Sequence, residues 1–325
     1  MRITLLLIIA AISGCATTPT VNSNDYSDLY AGRSQVAFAT QLPAMSAKEA
    51  LVRGDQAYRK GDLDQALYHY LTAVHKDDVS PIPFHRIGIV HQQRGNLELA
   101  ARAFSYALKR DRNHADTLEQ LGLVLLHGRK PEAARVYLER ALIADDKRVR
   151  SHNGMGVIAD LAGDHAVAAE HYRQAIELKP GDTRVLNNLG YSLYLSGDWA
   201  GAEKYLKEVL RIEPDHELAI RNLALLEVRR QNPDTALALL ERVMSKATAN
   251  NDVGYLCMLD GQHELAAKYF STAIRLSPSY YELAQDNLER NQKLAQEAQD
   301  GLGRYFADRA AGESTPASPA VESNP

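Results

Sequence analysis

The sequence predicts an all-α fold, a superhelical solenoid of about seven helix-turn-helix repeats closed by a C-terminal capping helix. Three observations carry this prediction. Alanine stands at 66, 100, 134, 168, 202 and 236, in steps of 34 residues, and again at 266 after a step of 30. Twelve positions ahead of each alanine stands a second small residue: Gly54, Gly88, Gly122, Gly156, Gly190, Ala224 and Gly254. Between the two series, Gly61-Asp62, Gly95-Asn96, Gly163-Asp164, Gly197-Asp198 and Gly261-Gln262 mark turns, because glycine supplies the left-handed conformation that a helix end needs. A period of this length signals stacked units, none of which buries its apolar face alone. The 325 residues are 45% apolar and 24% charged, an ordinary balance for a folded chain. A formal charge of -4 supplies no broad positive field for nucleic acid.

The first element, residues 1–14, follows the plan of a secretory signal: Met1 and Arg2, a mostly apolar run from Ile3 to Ile12, then Ser13 and Gly14. The run is too short to cross a bilayer, which takes roughly 20 apolar residues. Ile12-Ser13-Gly14-Cys15 resembles the lipobox of bacterial lipoproteins. That resemblance implies cleavage before Cys15, a covalent lipid (diacylglycerol plus an acyl chain such as palmitate) on Cys15, and no other cofactor. Ala16 after the Cys resembles the pattern sorted to the outer membrane, which implies a lipid-anchored, periplasm-facing protein. Two or more chains anchor stably where one does not. Residues 15–45 then read as the lipidated Cys and a flexible tether, rich at first in Thr, Ser, Asn and Pro. The chain has 2 cysteines, so a lipidated Cys15 leaves Cys257 without a disulfide partner. Cys257, beside Leu256 and Met258, reads as a small buried apolar residue, with a reactive thiol as the alternative.

Residues 46–280 form the repeat array. Ser46 with Glu49 is a capping-box pattern that opens the first helix. In the unit 149–182, Val149 to Leu161 form the first helix and His165 to Leu178 the second, ended by Lys179-Pro180. A glycine inside a helix costs about 1 kcal/mol relative to alanine, so its recurrence calls for a compensating close approach, expected between Gly156 and Ala168. Leu121, Met155, Leu189 and Leu223 on first helices, with Phe104, Tyr172, Leu206 and Phe270 on second helices, are the expected core. The single step of 30 omits close to one helical turn, which predicts a shortened second helix, or a shortened first helix after it, near Val243 to Asn251. Residues 281–299 read as a capping helix with Ala284, Leu288 and Ala295 inward, and residues 300–325 as a disordered tail.

Gly254, Ala266, Phe270, Ala273 and Pro278 in the last unit resemble the small, Ala, aromatic, small and Pro positions of the tetratricopeptide repeat (TPR), and the resemblance covers about 47–280. Asp78, Arg112, Asp146 and Thr248 stand where the terminal Pro would be, which weakens the punctuation there without breaking phase. The resemblance implies a concave groove, lined by first helices, that holds a protein or peptide partner.

The chemistry-bearing patterns are sparse. None of the 11 histidines has a partner at zinc-site spacing; His165 and His171 come closest, six apart and off a common helix face. No phosphate loop, nucleophile elbow or HExxH is present, so the expectation is neither an enzyme nor a metal protein. The groove positions carry Arg150, Asn153, Arg184, Asn187, Asn188, Tyr191, Tyr194, Arg221, Asn222, Arg229, Asn251 and Tyr255. Two readings of the amides stand: they pair with an extended peptide's backbone while Tyr rings cover its side chains, or they solvate the groove and bond neighbouring helices. The arginines are candidates for a carboxylate clamp, an incomplete one. Earlier units present Leu51, Ile89, Leu123 and Leu126 instead, an apolar stretch suited to the tether, an amphipathic helix or a second copy.

Lipobox, tether, seven repeats and the last unit, from Asn251-Asp252-Val253-Gly254-Tyr255 to Ser277-Pro278-Ser279-Tyr280-Tyr281, resemble the TadD type of the Tad/Flp pilus system. That resemblance implies help in pilus or secretin assembly, with a secretin or pilus-assembly component as partner. The alternatives are an adaptor for cell-wall (peptidoglycan) enzymes and an enzyme with an unrecognised site.

Overall fold

The computed structural model describes Leu29 and residues 45–312. The expected signal, Cys15, the tether apart from Leu29 and Met45, and residues 313–325 lie outside them. Among the described residues, fourteen helices pair into seven hairpins and a fifteenth follows. The hairpins are α1 (Ala47–Arg59) with α2 (Leu63–Lys76), α3 (Pro81–Gln93) with α4 (Leu97–Arg110), α5 (Ala115–His127) with α6 (Pro131–Ala144), and α7 (Val149–Leu161) with α8 (His165–Leu178). They continue as α9 (Thr183–Leu195) with α10 (Trp199–Ile212), α11 (Glu217–Arg229) with α12 (Pro233–Leu240), and α13 (Lys246–Leu259) with α14 (His263–Leu276), before α15 (Glu282–Gly312).

Local chemistry sets the helix ends. Asp62 and Asp198 accept the backbone N–H groups of Gln65 at 3.0 Å and Gly201 at 2.9 Å, filling donors that the first helical turn leaves open. Ser46 accepts from Glu49 N at 3.1 Å, but the Glu49 carboxylate turns to Arg53 at 2.8 Å, so only half of the expected capping box forms. His114 and His216 cap α5 and α11 through Nδ1, which accepts from Thr117 N and Ala219 N. At each hairpin turn one residue is left-handed. Glycine fills that place in five hairpins, as at Gly163 with φ 79°, and Arg129 (φ 58°) and Gln231 (φ 65°) fill it in the other two.

The chain divides into two compact units, with the boundary inside α6 between Tyr137 and Leu138. In the first, α1 to α5 pack in chain order, and α3 also touches α5. Its core joins Ala66, Leu67, Tyr70, Phe84, Ile87 and Val90. His85 is buried there and meets Thr117 Oγ1 at 2.9 Å; burial first, then His114 and Arg86, lower its pKa to about 4. In the second unit, α7 to α15 pack in order, and the first helices form a continuous row, α7 to α9, α9 to α11, α11 to α13 and α13 to α15.

The repeated small residues explain the packing. All seven alanines of the 34-residue series are fully buried. The expected core residues, from Leu121 and Met155 to Phe104 and Phe270, are buried as well. The glycine also meets a bulky side chain, which the expected approach of Gly156 to Ala168 did not include. A Cβ on Gly156 would stand 2.5 Å from Cε1 of Tyr172, one on Gly190 2.7 Å from Cγ of Leu206, and one on Gly254 2.8 Å from Cδ1 of Phe270. Gly54 and Gly88 face the rings of Tyr70 and Phe104 in the same way. In antiparallel helices the glycine thus meets the bulky residue sixteen places on, while the alanine lets the backbones approach, as where Ala202 O would lie 3.4 Å from a Cβ on Gly190.

Two further outcomes concern length. The omitted turn falls in a second helix: α12 has 8 residues where α10 has 14. The final helix corrects the expected boundaries, because it runs from Glu282 to Gly312 and not from 281 to 299, so a tail beginning at 300 is too early. Gly301 and Gly303 each cost the helix only about 1 kcal/mol, and no proline follows until Pro316.

The left-handed turn residues give a direct test. An L-residue with a Cβ in that conformation costs about 1 to 2 kcal/mol, against about 0.5 to 1 kcal/mol for the freedom glycine loses on folding. Gln231→Gly is therefore expected to stabilise the second unit by about 0.5 to 1 kcal/mol, read as a higher urea midpoint at Trp199, whose carbonyl accepts from the neighbouring Arg230. Gly163→Gln is expected to shift the midpoint the other way.

Candidate functional site

The row of first helices in the second unit carries the candidate residues, and their amides face one another. Asn188 Nδ2 donates to Asn153 Oδ1 at 3.0 Å, and Asn222 Nδ2 donates to Asn187 Oδ1 at 2.9 Å. At the next step the same place is taken by an ion pair, Arg221 to Asp252 at 2.7 Å. The step after that returns to amides, with Asn287 Nδ2 on α15 donating to Asn251 Oδ1 at 3.0 Å. Four rungs thus tie α7, α9, α11, α13 and α15 in succession. Asn187, Asn251 and Asn287 are buried, where an unpaired amide would be costly. The amides therefore bond neighbouring helices, the second of the two readings open from the sequence.

The arginines are committed in similar ways. Arg184 reaches Asp182 through Nε at 3.2 Å and Nη2 at 3.1 Å. Burial of Asp182 opposes its ionisation, but hydrogen bonds from Arg184 and Lys179 prevail and lower its pKa to about 2. Arg229 pairs with Asp260. Arg150 is exposed at the start of α7. A carboxylate clamp would have to take Arg184, Arg221 and Arg229 away from these partners.

Apolar side chains remain on the open part of the face. Tyr191 is 40% exposed and Tyr255 38%. Four residues on from Val157, Tyr191 and Tyr255, hence on the same helix face, stand Leu161, Leu195 and Leu259, of which Leu161 is 67% and Leu259 63% exposed. Tyr191 stacks on the half-buried Tyr194, with ring centroids 6.2 Å apart, and burial raises the Tyr194 pKa. Where α12 stops early, a cleft of about 160 Å³ opens among Arg221, Leu240, Asp252, Tyr255 and Leu256. The leucines were missed from sequence because leucine in a repeat helix reads as core; their recurrence at the last residue of α7, α9 and α13 was the available signal.

Other expected features find plain places. His165 binds Asp160 at 2.8 Å while His171 lies beside His152, so the two do not converge. Among the described residues no group of three or more His, Cys, Asp or Glu is placed to hold a metal ion, and no helix is long and apolar enough to cross a membrane. Cys257 is fully buried, and burial, then Asp260, raise its pKa to about 11, which keeps the thiol protonated.

Comparison with known proteins places this face in context. Models of the tetratricopeptide repeat match residues 85–149, 161–226, 193–257 and 247–280. An uncharacterized protein, y4yS, of Sinorhizobium fredii is 33% identical over 79 residues, which are 24% of this chain and 43% of that protein. The match thus spans less than half the length of that curated relative. A tetratricopeptide repeat protein from Parabacteroides merdae superposes with a TM-score of 0.58 at 16% identity, over 76% of this chain and 98% of its own. PilW, described as a widely conserved type IV pilus biogenesis factor, superposes with a TM-score of 0.50 at 17% identity, over 74% and 98%. At these identities the two structures are similar in fold.

Proposed function

Because the chain belongs to the tetratricopeptide repeat family of protein- and peptide-binding scaffolds, we propose that the first-helix row of its second unit holds an extended partner segment through apolar side chains. The observation that carries this reading is the exposed stripe of Tyr191, Leu195, Tyr255 and Leu259 beside helices locked by the four rungs. Exposed apolar residues in phase on a rigid surface favour a partner that removes them from water. A peptide's leucine, methionine or phenylalanine suits the cleft beneath Tyr255, because Leu240 and Leu256 line it. The Arg221 to Asp252 pair at its rim offers a donor and an acceptor to the partner's backbone.

In our reading the scaffold works at the outer membrane, anchored by lipid on Cys15 and facing the periplasm, and helps to assemble a Tad/Flp pilus or secretin complex. The support is the resemblance of the first fifteen residues to a lipoprotein signal and of the repeats to the TadD type. The likeness to PilW agrees with this in fold. In this reading the site serves association.

The two parts are tested separately. A photo-crosslinking residue at Tyr191 or Leu259, followed by mass spectrometry of the trapped protein, is expected to return a secretin or pilus-assembly component. Peptidoglycan enzymes in its place would overturn the pilus reading, and crosslinks formed only from Lys207 on α10 would overturn the groove. Cys15→Ser is expected to abolish lipid labelling and move the protein out of the membrane fraction; unchanged retention contradicts the anchor.

A further inference from the structure

Histidine is out of place at residue 91. The corresponding position in the other first helices holds Ala57, Leu125, Ala159, Leu193, Cys257 and, as the one other polar residue, Glu227, which pairs with Arg230; His91 on α3 is fully buried. A polar ring in such a place costs stability unless a hydrogen bond compensates it. No residue of the repeats provides that bond. It comes from Leu29, whose carbonyl lies 2.6 Å from His91 Nε2. A carbonyl only accepts, so Nε2 carries the proton, and Nδ1, which has no partner, is the bare nitrogen of a neutral ring. Leu29 is itself fully buried and shares an apolar cluster with Leu67, Leu71 and Ile87, against which Leu51 also packs.

We propose that the first unit is a second peptide-binding body, whose socket is filled in cis by the chain's own Leu29, held by its carbonyl on His91 and by its side chain in the cluster of Leu67, Leu71 and Ile87. Leu29 lies in a 3₁₀ turn, so the socket holds a turn by two points, one backbone acceptor and one apolar side chain. Leu29 precedes the first residue of α1 by 18 positions, so the occupant is covalently tied close to its socket and present at high effective concentration. A leucine-bearing segment from another protein must displace it. This inference is independent of the stripe on the second unit and stands or falls separately.

The test uses the full chain and a fluorescent peptide of residues 25–33, with binding read by anisotropy. Leu29→Asp empties the socket, and Leu29→Ala is the second variant, without a new charge. Both are expected to bind the peptide at least about tenfold more tightly than the unsubstituted chain, whose socket is occupied for most of the time. A peptide carrying Leu29→Asp, or addition of His91→Phe to the Leu29→Ala chain, is expected to lose that gain. Equal binding by the occupied and emptied chains, binding by neither, or equal binding of the two peptides would overturn the proposal.

Discussion

Everything in this molecule depends on how closely the two helices of a hairpin approach, and that distance is set where a small residue meets a bulky side chain, most often a ring. A helical glycine costs about 1 kcal/mol relative to alanine, whereas full burial of an aromatic side chain contributes about 1.5 to 3 kcal/mol. The exchange is favourable only if the ring lies directly on the opposing backbone, as Tyr172 does over Gly156 and Phe270 over Gly254. The tyrosines among these rings also keep their hydroxyls paired. Tyr70 donates to Asp55 at 2.8 Å and Tyr172 to Asp160 at 2.9 Å, and burial, with those carboxylates, raises both pKa values. Asp160 further accepts from Ser192 on the next first helix at 2.7 Å. Packing within a hairpin is thereby coupled to stacking between hairpins.

Function follows from the stacking. With the hairpins held at fixed spacing, first helices form a row, and the side chains between them are divided between two tasks. Rungs of Asn with Asn, and of Arg221 with Asp252, fasten the row. Residues one and two turns further along each helix are left to face outward. Shortening of α12 adds relief to that surface, because the helix ends at Leu240 and leaves the cleft beside Tyr255. The first unit applies the same architecture to its own chain, with Leu29 as occupant.

The fold was legible because every repeat states the same constraint again. Phase, turns and helix pairing followed from small residues at fixed intervals, while the omitted turn was narrowed only to a second helix or the first helix after it. Within the candidate site the sequence supplied positions but not partners. Asn153 and Asn188 are 35 residues apart, a register that joins neighbouring first helices, yet an amide bonds water, peptide or helix equally well by type alone. Asn287 lies outside the repeat and carried no periodic signal, although it completes the last rung. Leu29 was illegible for a related reason: one leucine in an aperiodic segment has no phase, and only the buried His91 shows that it has a place.

In the sixth hairpin Ala224 stands sixteen places before Leu240, whereas Gly190 stands sixteen places before Leu206 and a Cβ on it would lie 2.7 Å from Leu206 Cγ, so a leucine excludes a Cβ as a ring does. The most direct measurement is a double-mutant cycle of Gly156→Ala and Tyr172→Ala, with urea unfolding followed at Trp199, the single tryptophan. Alanine in place of an unconstrained helical glycine gains about 1 kcal/mol. Beside Tyr172 the account predicts instead a loss of about 1 to 3 kcal/mol from overpacking, most of it relieved when residue 172 is alanine. Effects that add to within about 0.5 kcal/mol, or a gain from Gly156→Ala beside the intact tyrosine, would contradict it.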